Sequence, residues 1–342
     1  MTTHKIYMQR CIELAKNGLG TTYPNPLVGS VIVFENQIIG EGWHQKAGKP
    51  HAEVHAINSV KDITLLSKAT IYVSLEPCSH FGKTPPCCDL ILKNDISTII
   101  IGCQDPNVLV AGKSIQKLKE AGKVVVVGVL EKECQEANRR FFTFHTKKRP
   151  YIILKWAESL DGFIAPSNEV RLQISQAKRQ PFWISNKYSR QLTHKWRSEE
   201  QAILIGTQTA IDDNPKLDVR DWKGKNPVKI VLDQNNRIPK ENDIFDNRSN
   251  VIVLTAEDLD FTNKMAAQIA HIIYEKNIES VIIEGGRQTL QSFIDENLWD
   301  EARVFRGSSV LNDGIKAPKI KAKLMAAKAI INDELLIFTN HD

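Results

Sequence analysis

Three side chains with soft or borderline donor atoms, His51, Cys78 and Cys87, stand at junctions between segments, and a carboxylate, Glu53, follows the histidine by two residues. One imidazole and two thiolates suit Zn2+. A structural zinc site closes its tetrahedron with a fourth protein ligand, whereas three ligands leave one position for water. A carboxylate placed like Glu53 can take a proton from that water and deliver it to a leaving amine. All six cysteines lie within the first 134 residues. Cys11, Cys103 and Cys134 read as small buried apolar residues. Cys88 adjoins Cys87, and helix direction lets only one of the two face a metal.

The elements that must position these groups alternate between the two periods. Ile6–Lys16 reads as a helix. Val28–Phe34 and Gln37–Ile39 pair around Glu35-Asn36, and His51–Val60 is helical with His51 at its opening. Thr70–Ser74 is a strand, Cys87–Lys93 a helix, Thr98–Ile101 a strand, Ser114–Ala121 a helix and Val124–Val127 a strand. Such alternation implies a largely parallel sheet with helices on its faces. An amphipathic stretch, Glu131–His145, precedes Lys147-Lys148-Arg149-Pro150, which reads as a linker between domains at 1–146 and 151–342. Beyond it, strands are expected at Tyr151–Ala157, Ala202–Ile205, Val228–Leu232, Val251–Leu254, Ser280–Glu284, Ala302–Phe305 and Leu335–Phe338. Helices are expected at Ser189–Arg197, Thr262–His271 and Arg287–Glu296.

A chain of 342 residues is too long for one ordinary core and comfortable for two. Its 42% apolar and 25% charged residues exclude disorder and small disulfide scaffolds. No stretch approaches the ~20 apolar residues of a membrane-spanning helix, and Met1–Arg10 lacks the apolar core of a secretion signal. The cytoplasm is therefore the expected compartment. The net charge of +5 is spread, with 16 basic against 13 acidic residues up to 146 and 29 against 27 after it. No basic patch points to nucleic acid, and no membrane partner is expected.

The His-x-Glu with Pro-Cys and a second cysteine is the pattern of zinc nucleobase deaminases. Pro24-Asn25-Pro26, Val28-Gly29, Gly42-Trp43-His44 and His51-Ala52-Glu53 resemble the cytidine-deaminase superfamily. Glu76-Pro77-Cys78-Ser79-His80-Phe81-Gly82-Lys83-Thr84-Pro85-Pro86-Cys87 resembles more narrowly the pyrimidine deaminase of riboflavin synthesis, and Asp105-Pro106-Asn107 with Ala111-Gly112-Lys113 continues the match. This resemblance implies that His51, Cys78 and Cys87 bind zinc and that Glu53 shuttles protons. It also implies that Asn25, His44, His80 and Lys83 contact an aminopyrimidinone ribosyl phosphate. Ser30 departs from the family's frequent cysteine but lies outside the metal set.

In the second half, Glu284-Gly285-Gly286 ends an apolar strand and leads into a helix, where bare backbone N–H groups can approach a phosphate. Lys155-Trp156-Ala157, Ser159-Leu160-Asp161-Gly162, Trp183-Ile184-Ser185, Gly206 with Thr209, and the run from Asp213 to Arg220 resemble the reductase domain of the same pathway. The implied whole is a cytidine-deaminase-like three-layer α/β/α domain followed by a dihydrofolate-reductase-like α/β domain. The implied chemistry is zinc-dependent deamination of 2,5-diamino-6-(5-phosphoribosylamino)pyrimidin-4(3H)-one, then NADPH-dependent reduction of the ribosyl chain. Ala157, Trp183, Thr209, Asp213, Gly285 and Gly286 would line the cofactor site, and Lys155, Arg197, Leu217, Arg220 and Glu284 the substrate site. Two stretches depart from the family pattern, Val170–Gln180 and Arg306–Pro318. A deaminase with an inert second domain is the alternative. A small phosphorylated pyrimidine is the expected partner, and a homo-oligomer the expected assembly.

Overall fold

In the computed structural model, residues 3–79, 85–107, 110–167, 182–246 and 250–340 are described. The chain divides into two compact units, Met1–Lys148 and Arg149–Asp342. The boundary falls within the charged run Lys147–Pro150. Arg149 is built into the second unit, donating from both terminal nitrogens to Asp300 at 2.6 and 2.8 Å.

The first unit opens with α1 (Thr3–Lys16), followed by β1 (Gly29–Phe34), β2 (Gln37–Trp43), α2 (Ala52–Asn58), β3 (Thr70–Leu75), α3 (Cys87–Lys93), β4 (Thr98–Cys103), α4 (Lys113–Glu120), β5 (Val124–Val127), α5 (Glu131–Ala137) and α6 (Arg139–Lys147). Its five strands stand in the order β2-β1-β3-β4-β5. Successive residues face opposite sides, as strand geometry requires. Ile32, Ile71, Val73, Ile99 and Ile101 bury with α2, α3 and α4 on one face. Val31, Val33, Tyr72 and Ile100 bury with α1 and α5 on the other. Three layers, α/β/α, result.

The sheet is mixed rather than largely parallel. Glu35 and Asn36 both take positive φ, 48° and 62°, the geometry of a tight hairpin, so β1 and β2 are antiparallel. The crossover through α2 then returns β3 beside β1, again antiparallel. Only β3, β4 and β5 run parallel.

The stretch expected as one amphipathic segment, Glu131–His145, is two helices broken at Asn138. That side chain is buried and works elsewhere. Its Oδ1 accepts from Leu27 N–H at 2.7 Å and its Nδ2 donates to the Leu27 carbonyl at 2.8 Å. The loop that carries Asn25 is thereby tied to the C-terminal helices of the unit.

The second unit comprises β6 (Tyr151–Glu158), β7 (Phe163–Pro166), α7 (Lys187–Glu199), β8 (Ala202–Gly206), α8 (Thr207–Asp213), β9 (Val228–Leu232), β10 (Val251–Leu254), α9 (Met265–Glu275), β11 (Ser280–Ile283), α10 (Arg287–Asp295), β12 (Glu301–Arg306), β13 (Gly314–Lys316), β14 (Lys323–Ile330) and β15 (Asp333–Thr339). An eight-stranded sheet runs β10-β9-β8-β11-β6-β12-β15-β14. The first six are mutually parallel, and β15 and β14 append antiparallel. Ile152, Leu154, Leu204, Ile230 and Ile283 pack with α9 and α10 on one face. Ile153, Ile203, Ile205, Val231 and Ile282 pack with Trp196 of α7 and Ala210 of α8 on the other. The Val170–Gln180 stretch lies outside the described residues. The Arg306–Pro318 stretch contains β13, which pairs with β7.

Asn138→Ala would leave both backbone groups of Leu27 buried without a partner. Loss of about 2–4 kcal/mol of stability is expected, measured by urea unfolding at constant m-value.

Candidate active sites

His51 occupies the N-cap position of α2, with φ −73° and ψ 169°, and its side chain makes no capping bond. The imidazole is therefore free to face the loop that follows β3. Cys78 stands in that loop, and Cys87 opens α3 with Pro86 as its cap. Their donor atoms all lie within 4.8 Å of one another. His51 Nδ1 is 3.5 Å from Cys78 Sγ and 3.3 Å from Cys87 Sγ. Zinc bonds of about 2.3 Å to sulfur and about 2.0–2.1 Å to nitrogen, at tetrahedral angles, separate such ligands by about 3.5 Å. The donor set fits zinc in kind and in spacing.

Electrostatics agree. A hydrogen bond from the Cys87 thiol, aided by His51 and the Cys87 amide, pulls the Cys78 thiol down to about 4 against the opposing effect of burial. Cys87, the donor in that bond and buried as well, is pushed far up. Two thiols this close keep one proton between them unless a cation neutralises both. Cys88 faces away. Its side chain is fully buried in the core with Ile91 and Ile96.

Glu53 lies in the first turn of α2 and is 3% exposed. Burial, then the charge of Cys78, raises its carboxyl to about 7, while the charge of His51 opposes the rise. Asn25 and His44 join this site. His44 Nδ1 is 3.1 Å from the Pro50 carbonyl, which can only accept, so Nδ1 carries the proton. Nε2 then accepts from Asn25 Nδ2 at 3.0 Å. Burial lowers the His44 pKa, and its ring stands edge-on to His51 at 5.3 Å. The Asn25 amide is thus oriented with its oxygen left for a ligand. His80 and Lys83 lie outside the described residues. Ser30 is buried in β1, donating to the Tyr72 carbonyl at 3.0 Å.

A further buried carboxylate, Glu76, braces this site. Glu76, 4% exposed, accepts from Ser114 Oγ at 2.8 Å, Gly112 N–H at 2.9 Å, Ser114 N–H at 3.2 Å and Asp105 N–H at 3.3 Å. The carboxylate two residues before Cys78 therefore anchors the Asp105–Ser114 loop to the metal loop. Its place beside Pro77-Cys78 was the available signal.

In the second unit a cavity of about 810 Å3 opens at the C-terminal ends of the parallel strands, where ligands settle in open α/β sheets. Ala157, Trp183, Thr209, Asp213, Gly286, Lys155, Arg197, Leu217, Arg220 and Glu284 line it. Gly285 lies just beneath. A Cβ there would meet Ile205 Cα at 2.5 Å, so only glycine lets β11 exit this close to β8. Gly286, at φ +24°, donates its N–H to Thr209 Oγ1 at 2.9 Å.

Glu284 accepts from Arg197 Nε at 2.9 Å and Nη2 at 2.7 Å, and lies 3.6 Å from Lys155 Nζ. Burial alone would raise its carboxyl. The charges of Arg197 and Lys155 outweigh that and hold it at about 2. Burial lowers Lys155, which Glu284 partly offsets. Arg220 instead pairs with Asp218 at 2.8 Å. Lining residues not anticipated from sequence include Gln208, Gln234, Arg237 and Arg287. Their signal was position after a parallel strand, which carries no residue-type signature.

The model of the cytidine and deoxycytidylate deaminase zinc-binding region matches residues 1–103. The model of the RibD C-terminal domain matches residues 150–324. Riboflavin biosynthesis protein RibD of Aquifex aeolicus is 38% identical over 327 residues, covering 91% of this chain and 88% of its own. The chain belongs to the RibD family. RibD of Bacillus amyloliquefaciens is also 38% identical, over 92% of this chain and 86% of its own. The crystal structure of a diaminohydroxyphosphoribosylaminopyrimidine deaminase/5-amino-6-(5-phosphoribosylamino)uracil reductase from Thermotoga maritima covers 99% of both chains, with a TM-score of 0.87 and 34% identity. RibD of Acinetobacter baumannii aligns with a TM-score of 0.85 and 31% identity. As a RibD, the chain is a bifunctional enzyme of riboflavin biosynthesis, a zinc-dependent deaminase and an NADPH-dependent reductase. Among the described residues no helix is long and apolar enough to cross a membrane.

Two outcomes are expected. Cys87→Ala abolishes stoichiometric zinc while Cys88→Ala retains it, read by elemental analysis of purified protein. The paired Glu284 carboxylate stabilises the second unit fully above about pH 4.5, and that contribution is lost as pH falls toward 2. Glu284→Gln should therefore cost about 3 kcal/mol at pH 7 and less at pH 3.5, read by urea unfolding.

Proposed function

We propose a residue-level division of labour for the two reactions. His51, Cys78 and Cys87 hold zinc, which when bound acts as a Lewis acid and makes water nucleophilic near neutral pH. The substrate is 2,5-diamino-6-(5-phosphoribosylamino)pyrimidin-4(3H)-one. Asn25 and His44 orient its ring through the amide oxygen that their mutual hydrogen bond leaves available. His80 and Lys83 join them on the strength of the sequence resemblance. Water adds at C2, the ring carbon that bears the 2-amino group. Glu53 takes the proton from the attacking water and gives it to the departing nitrogen. The C–N bond breaks, ammonia leaves and a carbonyl remains. Burial suits Glu53 to this work, since a carboxyl raised toward neutrality accepts and returns a proton with similar ease.

In the second unit, Ala157, Trp183, Thr209, Asp213, Gly285 and Gly286 line the place of NADPH, which supplies hydride when bound. The acceptor is C1' of the ribosyl chain, reduced to a ribityl chain. Lys155, Arg197, Leu217, Arg220 and Glu284 surround the sugar and its phosphate. Glu284 keeps Arg197 fixed, and Arg220 offers a guanidinium to phosphate. Lys155, its pKa lowered by burial, supplies the proton that the opening sugar oxygen needs. The cytoplasm is the proposed compartment, and a homo-oligomer the proposed assembly.

The observation that carries the deaminase half is the buried Glu53 beside three donor atoms with zinc spacing. Mass spectrometry of products tests both halves. A gain of about one dalton without NADPH is expected, as nitrogen gives way to oxygen, with a further gain of about two daltons when NADPH is present. Glu53→Gln should abolish the first change while retaining zinc. A product heavier by one dalton that NADPH never alters would instead favour an inert second unit.

A further inference from the structure

The reductase cavity, read as the NADPH site, must accommodate a dinucleotide diphosphate, a 2'-phosphate and the phosphate of the substrate. Among the described residues six lysine and arginine side chains line it: Lys155, Arg190, Arg197, Arg220, Arg237 and Arg287. Lys155 and Arg197 are engaged by Glu284, and Arg220 by Asp218. Arg190 lies over the Trp183 ring at 4.6 Å and donates to the Ser185 carbonyl at 2.6 Å. Arg237 and Arg287 form no ion pair among the described residues, and Arg237 Nη2 is 3.4 Å from Gln208 Oε1.

Topology separates these two cations. The cavity crosses the ends of β6, β11, β8 and β9, which are neighbours in that order. Strands about 4.8 Å apart put the ends of β6 and β9 about 14 Å from each other. The reacting ring must lie at the Lys155–Glu284 end, on β6 and β11. The diphosphate then falls over the N-terminus of α10 at Arg287, beside Gly286 and Thr209. A dinucleotide continuing in the same direction brings its adenosine ribose to the loop after β9, Asp233–Arg237.

That loop is arranged against a bare ribose diol. A carboxylate at such a strand end selects NAD by accepting from the 2'-hydroxyl, whereas an arginine accommodates the 2'-phosphate of NADP. Asp233 is 3% exposed, and its oxygens are taken by Arg237 N–H and Ile238 N–H, each at 2.9 Å. The carboxylate is consumed in shaping the loop, and the exposed guanidinium of Arg237 is the cation that the loop presents to the cavity, beside Gln234 and Asn235. We propose that Arg237 pairs with the 2'-phosphate and is the residue by which this enzyme distinguishes NADPH from NADH, with Gln208 steadying its guanidinium. This rests on the cavity being the nicotinamide site.

Calorimetric titration of the full chain with NADP+ and with NAD+ tests it without relying on turnover. Arg237→Ala is expected to weaken NADP+ by about 10- to 100-fold, the range for a charge-assisted pair, and to leave NAD+ within about threefold. Arg237→Lys should recover much of the loss. Arg287→Ala, beside the diphosphate common to both, should weaken the two ligands alike. Equal weakening of NADP+ and NAD+ by Arg237→Ala, or no weakening of either, overturns the assignment while leaving the cavity as the cofactor site. Failure of the unaltered protein to bind either nucleotide overturns the cofactor reading itself.

Discussion

Burying a carboxylate costs several kcal/mol unless its oxygens are hydrogen-bonded or paired with charge, and each site in this chain is organised around one that is. In the first unit Glu76 accepts from Asp105, Gly112 and Ser114. The loop after β4 is thus locked to the loop that carries Cys78. In the second unit Glu284 accepts from Arg197 Nε and Nη2 and faces Lys155. Two cations are thereby held in place in the cavity. Neither carboxylate can be removed without stranding its partners, so each fixes geometry beyond its own contacts.

The same logic of satisfaction reaches the groups that do chemistry. His44 spends one nitrogen on the Pro50 carbonyl, and this determines which nitrogen remains to hold Asn25. Asn138 gives both ends of its amide to Leu27, so the Asn25 loop is fixed from behind. His51 makes no capping bond and keeps its imidazole for the two thiols. Glu53, by contrast, is buried beside thiols and has its proton affinity raised.

Much of the fold was legible because β-branched runs and helical periods are local. The helix Cys87–Lys93 and the strands Val124–Val127, Val228–Leu232 and Val251–Leu254 have the bounds that periodicity predicts. What escaped was stabilised from a distance. Strand β14 is alanine-rich and largely exposed, and pairing with β15 makes it a strand rather than its own propensity. The antiparallel half of the first sheet follows from a hairpin and one crossover, a matter of connection order rather than composition. The break at Asn138 reflects a partner 111 residues earlier.

The sequence by itself determined the chemistry of the first site, because zinc restricts ligand type so strongly that one histidine, two cysteines and a glutamate identify it. Ten of the eleven residues that family resemblance implied for the second site line one cavity. Only the tertiary structure decided what each group is free to do. Which cysteine of the adjacent pair meets the histidine, which cations are already paired and which carboxylates are consumed by backbone N–H groups all depend on partners distant in the chain. Availability is a property of packing, and residue type does not encode it.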